Sequence, residues 1–236
     1  MKTIGLIGGM SWESSIEYYR IINQAVREAL GGVHSAKCVM FSLDFAEIEE
    51  LQNRGDWEEA TRIMVESARL VEKGGADFVL ICTNTMHLMA EEVQEGINLP
   101  LLHIADATAQ AVKRKKLNTV GLLGTRFTME KEFYRGRLEK RHQLKVLVPD
   151  QEKREAVHQV IYDELVKGKI EGNSREMYRE VISSLVARGA QGIVLGCTEI
   201  GLLVKQEDVP VPVFDTMEIH ALAAVDAALG KVPLDR

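Results

Sequence analysis

An internal repeat constrains the fold of this chain more than any other feature of its sequence. Three short segments of the first half recur in the second half in the same order. The pairs are 70–83 with 185–198, Thr3–Gly8 with Thr119–Gly124, and Pro100–His103 with Pro212–Asp215. The first pair, shifted by 115 residues from 70 to 185, aligns Cys82 with Cys197. A single echo would carry little weight, because apolar strands that enter glycine turns are common, but three in one order predict two halves with a shared plan.

Short apolar, β-branched runs alternate with longer amphipathic ones along the chain. The predicted strands are residues 3–7, 37–43, 78–82, 101–104, 120–123, 145–148, 193–195 and 211–214. Between them lie helical patterns, for example at 57–71, where Asp56 and Glu59 form a predicted capping box. Because the connection between parallel strands is normally helical, this alternation predicts parallel sheets with helices on both faces.

The predicted architecture is an α/β fold with two pseudo-symmetric lobes, each a parallel sheet flanked by helices. The N-terminal lobe is expected to comprise residues 1–98 with 213–236, and the C-terminal lobe residues 99–212. In open parallel sheets, ligands bind outside the carboxyl ends of the strands. We therefore expect a small ligand in a cleft between the lobes, reached from both sides by strand ends.

Composition excludes several classes of protein. The 236 residues carry 29 basic and 35 acidic side chains and are 46% hydrophobic, which is typical of a globular protein and not of a disordered or nucleic-acid-binding one. Three widely spaced cysteines suit neither a disulfide framework nor a zinc site, and we expect them to be reduced thiols in the cytoplasm. No apolar run approaches the roughly 20 residues that span a bilayer, so no membrane partner is expected.

Cys197 follows a predicted buried strand and is a candidate for acid–base chemistry. A thiol acts as a base only when its pKa is lowered by a helix N-terminus or when a neighbour accepts its proton. Residues 198–200 are predicted to open a helix that supplies amide donors, and Glu199 can accept a proton. The simpler interpretation is that Cys197 is a small buried apolar residue, as free cysteines commonly are.

The matching segment of the first half, Cys82–His87, carries hydroxyl and amide groups that suit a carboxylate ligand at a strand end. Such a buried polar run needs hydrogen-bond partners. Alternatively, its Thr and Asn residues form an ordinary helix cap. We interpret His87 as a structural histidine with satisfied ring nitrogens rather than as a catalyst.

The glycine turns do not match nucleotide-binding motifs. The Gly8-Gly9-Met10 turn lacks the G-x-G-x-x-G spacing, and Arg126-Phe127 stands where a P-loop needs Lys and then Ser or Thr. Neither a nicotinamide nor a nucleotide is therefore expected as a cofactor.

Three segments together carry a resemblance to a known family. The Gly8-Gly9-Met10 turn, the Asn84–His87 segment and the Gly196–Glu199 segment, in this order and at these separations, resemble those of the cofactor-independent aspartate/glutamate racemase superfamily. The resemblance covers nearly the full chain, and the chain is similar to the bacterial broad-specificity amino acid racemases. It implies an enzyme that inverts Cα of a small amino acid without pyridoxal phosphate or a metal, and it implies a homodimer.

Members of that superfamily place one cysteine on each side of the substrate Cα, so that one thiolate removes the α proton and the opposite thiol returns another. The resemblance implies Cys197 for one face. The other cysteine precedes Asn-Thr in the family, and here Thr83 stands at that position, with Cys82 one residue earlier. Neighbouring side chains of a strand point to opposite faces, so only one of the two can face the ligand. The family pattern implies Thr83, although a hydroxyl is a poorer base than a thiol.

The resemblance also implies which residues bind the substrate. Aspartate-specific relatives hold the distal carboxylate with a basic residue in each lobe, at places that fall near Gln52 and Lys167 here. This mixed pair predicts tolerance of several acidic and polar amino acids, with Arg54 as a substitute for Gln52. Each of them is alternatively a solvated helix residue. The implied substrate-binding residues are Met10, Gln52, Asn84, Thr85, Thr125, Lys167 and Thr198, and Glu199 supports Cys197.

Two other functions stay open. A single-thiol enzyme that uses Cys197 alone would decarboxylate or isomerise a small dicarboxylate, because it delivers a proton to one face only. A protein that has lost one base would bind or sense amino acids without turnover.

Overall fold

The computed structural model describes residues 1–234. The chain divides into two compact units, one comprising Met1–Ile104 with the segment that begins at His220, and the other comprising Ala105–Ile219. The sequence predicts boundaries after residues 98 and 212, whereas those of the structure fall after residues 104 and 219. The second boundary lies later because the strand Val213–Asp215 pairs within the sheet of the second unit.

The first unit contains a parallel sheet with the strand order β2-β1-β3. Its strands are β1 (Ile4–Gly8), β2 (Cys38–Ser42) and β3 (Phe78–Ile81). All residues of β1 and β3 are buried, as expected for apolar strands of a parallel sheet. The strand predicted at 101–104 is reduced to an isolated bridge between Leu101 and Val79, because a helix already begins at Ile104.

The second unit contains a parallel sheet with the strand order β5-β4-β6-β7. Its strands are β4 (Thr119–Gly124), β5 (Lys145–Leu147), β6 (Ile193–Gly196) and β7 (Val213–Asp215). The order matches that of the first unit, with the bridge at Leu101 in the place of β7. The predicted α/β fold with parallel sheets is therefore confirmed.

Helices connect the strands of both units. They are α1 (Trp12–Leu30), α2 (Phe45–Arg54), α3 (Trp57–Lys73), α4 (Ala90–Gly96), α5 (Ile104–Arg114), α6 (Arg126–Glu130), α7 (Gln151–Asp163), α8 (Gly172–Ala187), α9 (Ile200–Leu203) and α10 (Thr216–Ala228). Shorter turns are the 3₁₀ turns Thr85–Met89, Leu165–Lys167 and Gln206–Asp208, and the π-helical turn Arg137–Arg141. The boundary between the units at residue 219 falls within α10.

The helix α3 shows how the sequence defines one of these elements. Asp56 caps its N-terminus by accepting a hydrogen bond from the Glu59 amide at 3.2 Å, as predicted. The Glu59 carboxylate accepts from Arg62 at 2.7 Å, so the predicted reciprocal half of the capping box is replaced by an ion pair within the helix. Met64 and Val71 are fully buried in the apolar core of the first unit, which anchors α3 against the sheet.

Candidate functional site

Each unit carries candidate residues directly after the carboxyl end of one strand. In the first unit, β3 ends at Ile81 and continues through Cys82 into the polar run Thr83–Thr85. In the second unit, β6 ends at Gly196 and continues into Cys197–Glu199. We call residues 82–87 the first half-site and residues 196–199 the second half-site. The carboxyl ends of parallel strands are where open α/β sheets bind their ligands.

The pairing of the strands aligns the two sheets residue by residue. Gly5 of β1 pairs with Val79, and Gly121, its counterpart in the Thr3–Gly8 repeat, pairs with Ile193. The amides of Val79 and Ile193 also both donate to the proline that opens the next segment, at 3.0 Å in the first unit and 2.9 Å in the second. Val79 therefore corresponds to Ile193, which is a shift of 114 residues from 79 to 193.

This register makes Thr83 the counterpart of Cys197, because each lies four residues beyond the aligned pair. The alignment of Cys82 with Cys197 that the sequence echo predicts is thus wrong by one residue. Burial also distinguishes Cys82 from its neighbour Thr83. Cys82 is 1% exposed and burial raises the pKa of its thiol, whereas Thr83 is half-buried.

In the second half-site, the Cys197 thiol is hydrogen-bonded to a buried carboxylate. Its Sγ donates to Oε2 of Glu199 at 3.0 Å, and the Thr198 hydroxyl donates to the same oxygen at 2.8 Å. Cys197 is 8% exposed and Glu199 is 3% exposed. The interpretation of Cys197 as a merely apolar core residue does not fit these polar contacts, because a carboxylate is buried at a high cost unless it has partners.

The pKa of Cys197 lies well above its ordinary value. Burial is the largest cause, followed by the negative charge of Glu199 and the hydrogen bond to it. The backbone amides of Glu199 and Ile200 act in the opposite direction. The amides at the start of α9 thus lower the pKa as expected, but α9 is only four residues long, and burial and the Glu199 carboxylate outweigh them. The proton resides on sulfur, and the Glu199 carboxylate is positioned to accept it.

The first half-site carries the buried polar side chains of Asn84 and Thr85 at the sequence positions that correspond to Thr198 and Glu199. Asn84 is 2% exposed and Thr85 is 5% exposed. Asn84 precedes the 3₁₀ turn Thr85–Met89 in the N-cap position, but its side chain makes no capping hydrogen bond. The interpretation of this segment as an ordinary helix cap is therefore not supported, and these groups resemble the polar lining of a ligand site.

His87 binds the backbone through both ring nitrogens. Nδ1 lies 2.7 Å from the carbonyl oxygen of Thr83, and Nε2 accepts a hydrogen bond from the Ile104 amide at 3.2 Å. The side chain is 2% exposed. His87 thus has the satisfied ring nitrogens that the sequence interpretation expects of a structural histidine.

The turn between β1 and α1 is held by a serine that the sequence analysis missed. The Gly9 amide donates to Oγ of Ser15 at 2.8 Å, and the Ser15 hydroxyl donates to the Ser11 carbonyl at 3.1 Å. Gly9 has a φ of +87°. Met10, expected to line the ligand site, is 4% exposed and contributes to the apolar core. The signal that points to Ser15 is a serine in the first turns of the helix that follows a Gly-Gly pair.

The residues expected to select the substrate differ in their surroundings. Gln52 is 4% exposed, and its Nε2 donates to Sδ of Met86 at 3.2 Å. It is therefore not a solvated helix residue. Arg54 is exposed and pairs with Glu50 at 3.3 Å on the surface of α2, which is the arrangement of an ordinary helix ion pair.

In the second unit, the two remaining candidates lie in contrasting positions. Thr125 is 5% exposed and caps α6 by accepting from the Thr128 amide at 3.3 Å. Lys167 lies at the end of the 3₁₀ turn Leu165–Lys167, with a side chain 55% exposed and Nζ 3.7 Å from a carboxylate oxygen of Asp163. Such an exposed ion pair contributes little to stability.

The described residues offer neither a metal-binding cluster nor a membrane-spanning helix. Within residues 1–234, no three or more His, Cys, Asp and Glu side chains are grouped so that they could hold a metal ion. None of the helices in that range combines the length and the apolar character that crossing a membrane requires.

Comparisons with known proteins identify a family that this chain matches over most of its length. A protein-family model described as Asp/Glu/hydantoin racemase matches residues 7–224. The chain is similar to a crystal structure of a candidate Asp/Glu racemase from Yersinia pestis, at 55% identity and a TM-score of 0.91, with 97% of this chain and 100% of that chain covered. A crystal structure of an aspartate racemase homologue from Pyrococcus horikoshii OT3 is 35% identical, with the same coverage and a TM-score of 0.83. The broad-specificity amino-acid racemase RacX of Bacillus subtilis (strain 168) is 24% identical over 175 residues, which are 74% of this chain and 75% of that protein.

Proposed function

The chain belongs to the Asp/Glu/hydantoin racemase family, and on that premise we propose that it is an amino acid racemase that needs no pyridoxal phosphate and inverts Cα by two-sided proton transfer. The observation that carries the proposal is the equivalence of Thr83 and Cys197 in the two aligned sheets. A racemase treats two mirror-image substrates alike, so it needs one proton-transferring group for each face of the carbon.

Cys197 serves one face in this proposal. Its thiol passes its proton to Glu199, with which it shares a 3.0 Å hydrogen bond, and the resulting thiolate takes the α proton of the substrate. Burial and the carboxylate disfavour the thiolate. The α-ammonium group of a bound amino acid opposes this, because a nearby positive charge lowers the pKa of a thiol.

Thr83 serves the opposite face. Its hydroxyl donates a proton to the carbanion, and the alkoxide that remains takes a proton from water. In the reverse direction, water takes the hydroxyl proton, and the Thr83 alkoxide takes the α proton and becomes a hydroxyl again. A hydroxyl is far less acidic than a thiol, so the Thr83 step is expected to be the slower one. Asn84, Thr85 and Thr198 are the proposed donors to the α-carboxylate, which carries the developing enolate charge.

For the substrate, we propose a range of acidic and polar amino acids. Gln52 is buried and neutral, whereas Lys167 is cationic and exposed. One cation and one amide hold a distal carboxylate less tightly than two cations, and they still accept a hydroxyl or an amide. Lys167→Ala is expected to raise the KM for aspartate much more than the KM for homoserine.

The reaction is tested by isotope incorporation. Single enantiomers of aspartate, glutamate and homoserine are incubated with the protein in heavy water, without pyridoxal phosphate, and are analysed by chiral chromatography with mass detection. We expect the α-deuterated antipode of at least one of them. If a folded protein exchanges the α proton of none of a broad set of amino acids, the proposal is rejected.

The assignment of the two faces has its own matched control. Thr83→Ala and Cys197→Ala should each lower racemisation by about 10²- to 10⁴-fold, the usual contribution of a positioned proton-transfer group. Cys82→Ala removes the neighbouring thiol and should leave the rate within about twofold. Activity that survives Thr83→Ala and is lost in Cys82→Ala would assign the first face to Cys82 instead.

One observation favours a second candidate function. Because Thr83 replaces a thiol, Cys197 is the one cysteine at the two aligned positions, as in an enzyme that protonates a single face. Such a decarboxylase or isomerase would act on a small dicarboxylate, depend on Cys197 and tolerate Thr83→Ala. A protein that binds amino acids without exchanging their α protons would instead be a sensor.

We also propose that the protein works as a homodimer in the cytoplasm, as the family resemblance implies. Three cysteines, none in a disulfide, support a reducing compartment. Sedimentation velocity tests the dimer, because a monomer of 26.3 kDa is well separated from its dimer. Cell fractionation tests the compartment.

A further inference from the structure

His87 holds the carbonyl group of Thr83 with a defined tautomer. The Ile104 amide can only donate a hydrogen bond, so Nε2 of His87 must accept it at 3.2 Å. Nδ1 therefore carries the ring proton and donates it to the Thr83 oxygen at 2.7 Å. The neutral ring thus ties Thr83 to the start of α5, two segments that are distant in sequence.

The second unit holds the equivalent carbonyl in a different way. There, the Cys197 oxygen accepts from the backbone amide of Ile200 at 3.1 Å. In the first unit, the Thr83 oxygen lies 2.7 Å from Nδ1 of the His87 ring, and the His87 backbone amide donates to the Asn84 carbonyl at 3.1 Å. The carbonyl of Thr83 is thus bound by a side chain, whereas the equivalent carbonyl of Cys197 is bound by the main chain.

The position equivalent to His87 in the second unit cannot carry a ring. It is Gly201, four residues after Cys197 as His87 is four residues after Thr83. A side chain at Gly201 would collide with the Asp215 carboxylate. The histidine is therefore a feature of the unit that uses a hydroxyl and is absent from the unit that uses a thiol.

Two further buried histidines pack around the ring of His87. The ring centroid of His103 lies 4.5 Å away and that of His220 lies 5.9 Å away. His220 is itself fixed, with Nδ1 2.8 Å from the Tyr18 hydroxyl and Nε2 2.8 Å from the Leu102 carbonyl. Such packing leaves the His87 ring little freedom to rotate away from Thr83.

We propose that His87 is a positioning residue that fixes the Thr83 peptide group and thereby aims the Thr83 hydroxyl at one face of Cα. This rests on the proposed function, since it assigns Thr83 a step to be positioned for. A hydroxyl is a weak acid and base, so its rate depends strongly on alignment with the reacting carbon. The thiol of Cys197 has Glu199 as its proton acceptor and needs no such device.

The test uses two variants of His87, each of which keeps one of the two hydrogen bonds that the ring makes. In His87→Asn the new side-chain amide lies near the position of Nδ1 and can still donate to the Thr83 carbonyl. In His87→Gln the amide lies near the position of Nε2, so its oxygen can accept from Ile104 but the donor to Thr83 is lost. Both proteins are first checked for unchanged fold by circular dichroism and thermal melting.

The readout is α-deuterium exchange in heavy water, measured separately for each enantiomer of the best substrate. The equilibrium constant of racemisation fixes the ratio of kcat/KM in the two directions, so a variant lowers both values by the same factor. Exchange instead reports the removal of the α proton at each face. Thr83→Ala first identifies the enantiomer whose exchange depends on Thr83. His87→Gln should slow exchange of that enantiomer by about tenfold and leave the other within about twofold, and His87→Asn should restore most of the loss.

An equal loss for both enantiomers in a folded His87→Gln protein would show a general structural role and overturn the proposal. So would unchanged exchange of the Thr83-dependent enantiomer. Failure of the original protein to exchange any amino acid rejects the proposed racemase activity instead, so the two failures are distinguishable.

Discussion

Acidification is expected to destabilise the first unit through a buried histidine in α10. His220 has no exposed surface, and its Nε2 donates to the Leu102 carbonyl, so Nδ1 accepts from the Tyr18 hydroxyl. Burial lowers the pKa of His220 from its ordinary 6.5 to about 4, although the hydrogen bond to Leu102 opposes this. The folded state thus favours the neutral ring.

The magnitude follows from the two pKa values. The unfolded chain binds a proton at His220 more readily than the folded one, so the stabilisation is complete above pH 6.5 and is lost as the pH falls towards 4. The full difference corresponds to about 3 kcal/mol in the free energy of unfolding. Between about pH 7 and about pH 5, roughly 2 kcal/mol of it should be lost.

The assay is urea unfolding followed by tryptophan fluorescence. Both tryptophans, Trp12 and Trp57, belong to the first unit, so the signal reports the unit that contains His220. The matched variant is His220→Gln, whose amide can donate to Leu102 but does not titrate. Its free energy of unfolding should fall by about 2 kcal/mol less than that of the original protein between the two pH values. Equal pH dependence of the two proteins would refute the reasoning.

Two further predictions follow from individual contacts. Glu199→Gln removes the negative charge beside the Cys197 thiol and should lower the pKa of that thiol. The pH dependence of Cys197 alkylation, followed by mass spectrometry of its peptide, should therefore shift to lower pH. An unchanged profile would exclude the carboxylate as a cause of the raised pKa. Gly9→Ala should destabilise the fold by about 3 kcal/mol, because Gly9 has a positive φ and an added Cβ would collide with the backbone of Leu43. Gly55 also has a positive φ but faces open space, so Gly55→Ala should cost only about 1 kcal/mol. Chemical denaturation of the two glycine variants compares them, and equal losses would show that the collision is relieved.

The fold was predictable because the sequence repeats its own pattern. The alternation of apolar strands and amphipathic helices is enough to predict two parallel sheets, and the repeat predicts their similarity. The ends of elements were less predictable. Residues 101–104 have strand composition, but the helix that starts at Ile104 leaves only the single bridge at Leu101. That outcome depends on tertiary packing and not on local preference.

The sequence places the candidate residues directly after two strands, as the structure has them, and the family resemblance implies the Thr83 register, but the repeat alone does not give that register. The similarity of Cys82-Thr83 to Cys197-Thr198 favours an alignment that is wrong by one residue, because the register of β3 is set by its partner β1 and not by its own sequence. Similarly, the sequence shows that Glu199 follows Cys197 but not that its carboxylate turns back to the sulfur. The direction of the thiol pKa depends on that geometry and on burial.

The chain path also has a consequence for biosynthesis. The second unit is one uninterrupted segment, Ala105–Ile219, whereas the first unit is completed only by the segment that begins at His220, where the Ala228 carbonyl accepts a hydrogen bond from the Lys2 amide at 2.9 Å. A ribosome therefore releases the last part of the N-terminal unit after the whole of its twin. Chains that stop at about residue 219 should keep the whole segment of the second unit and lack the contacts that His220 makes with Tyr18 and Leu102 in the first.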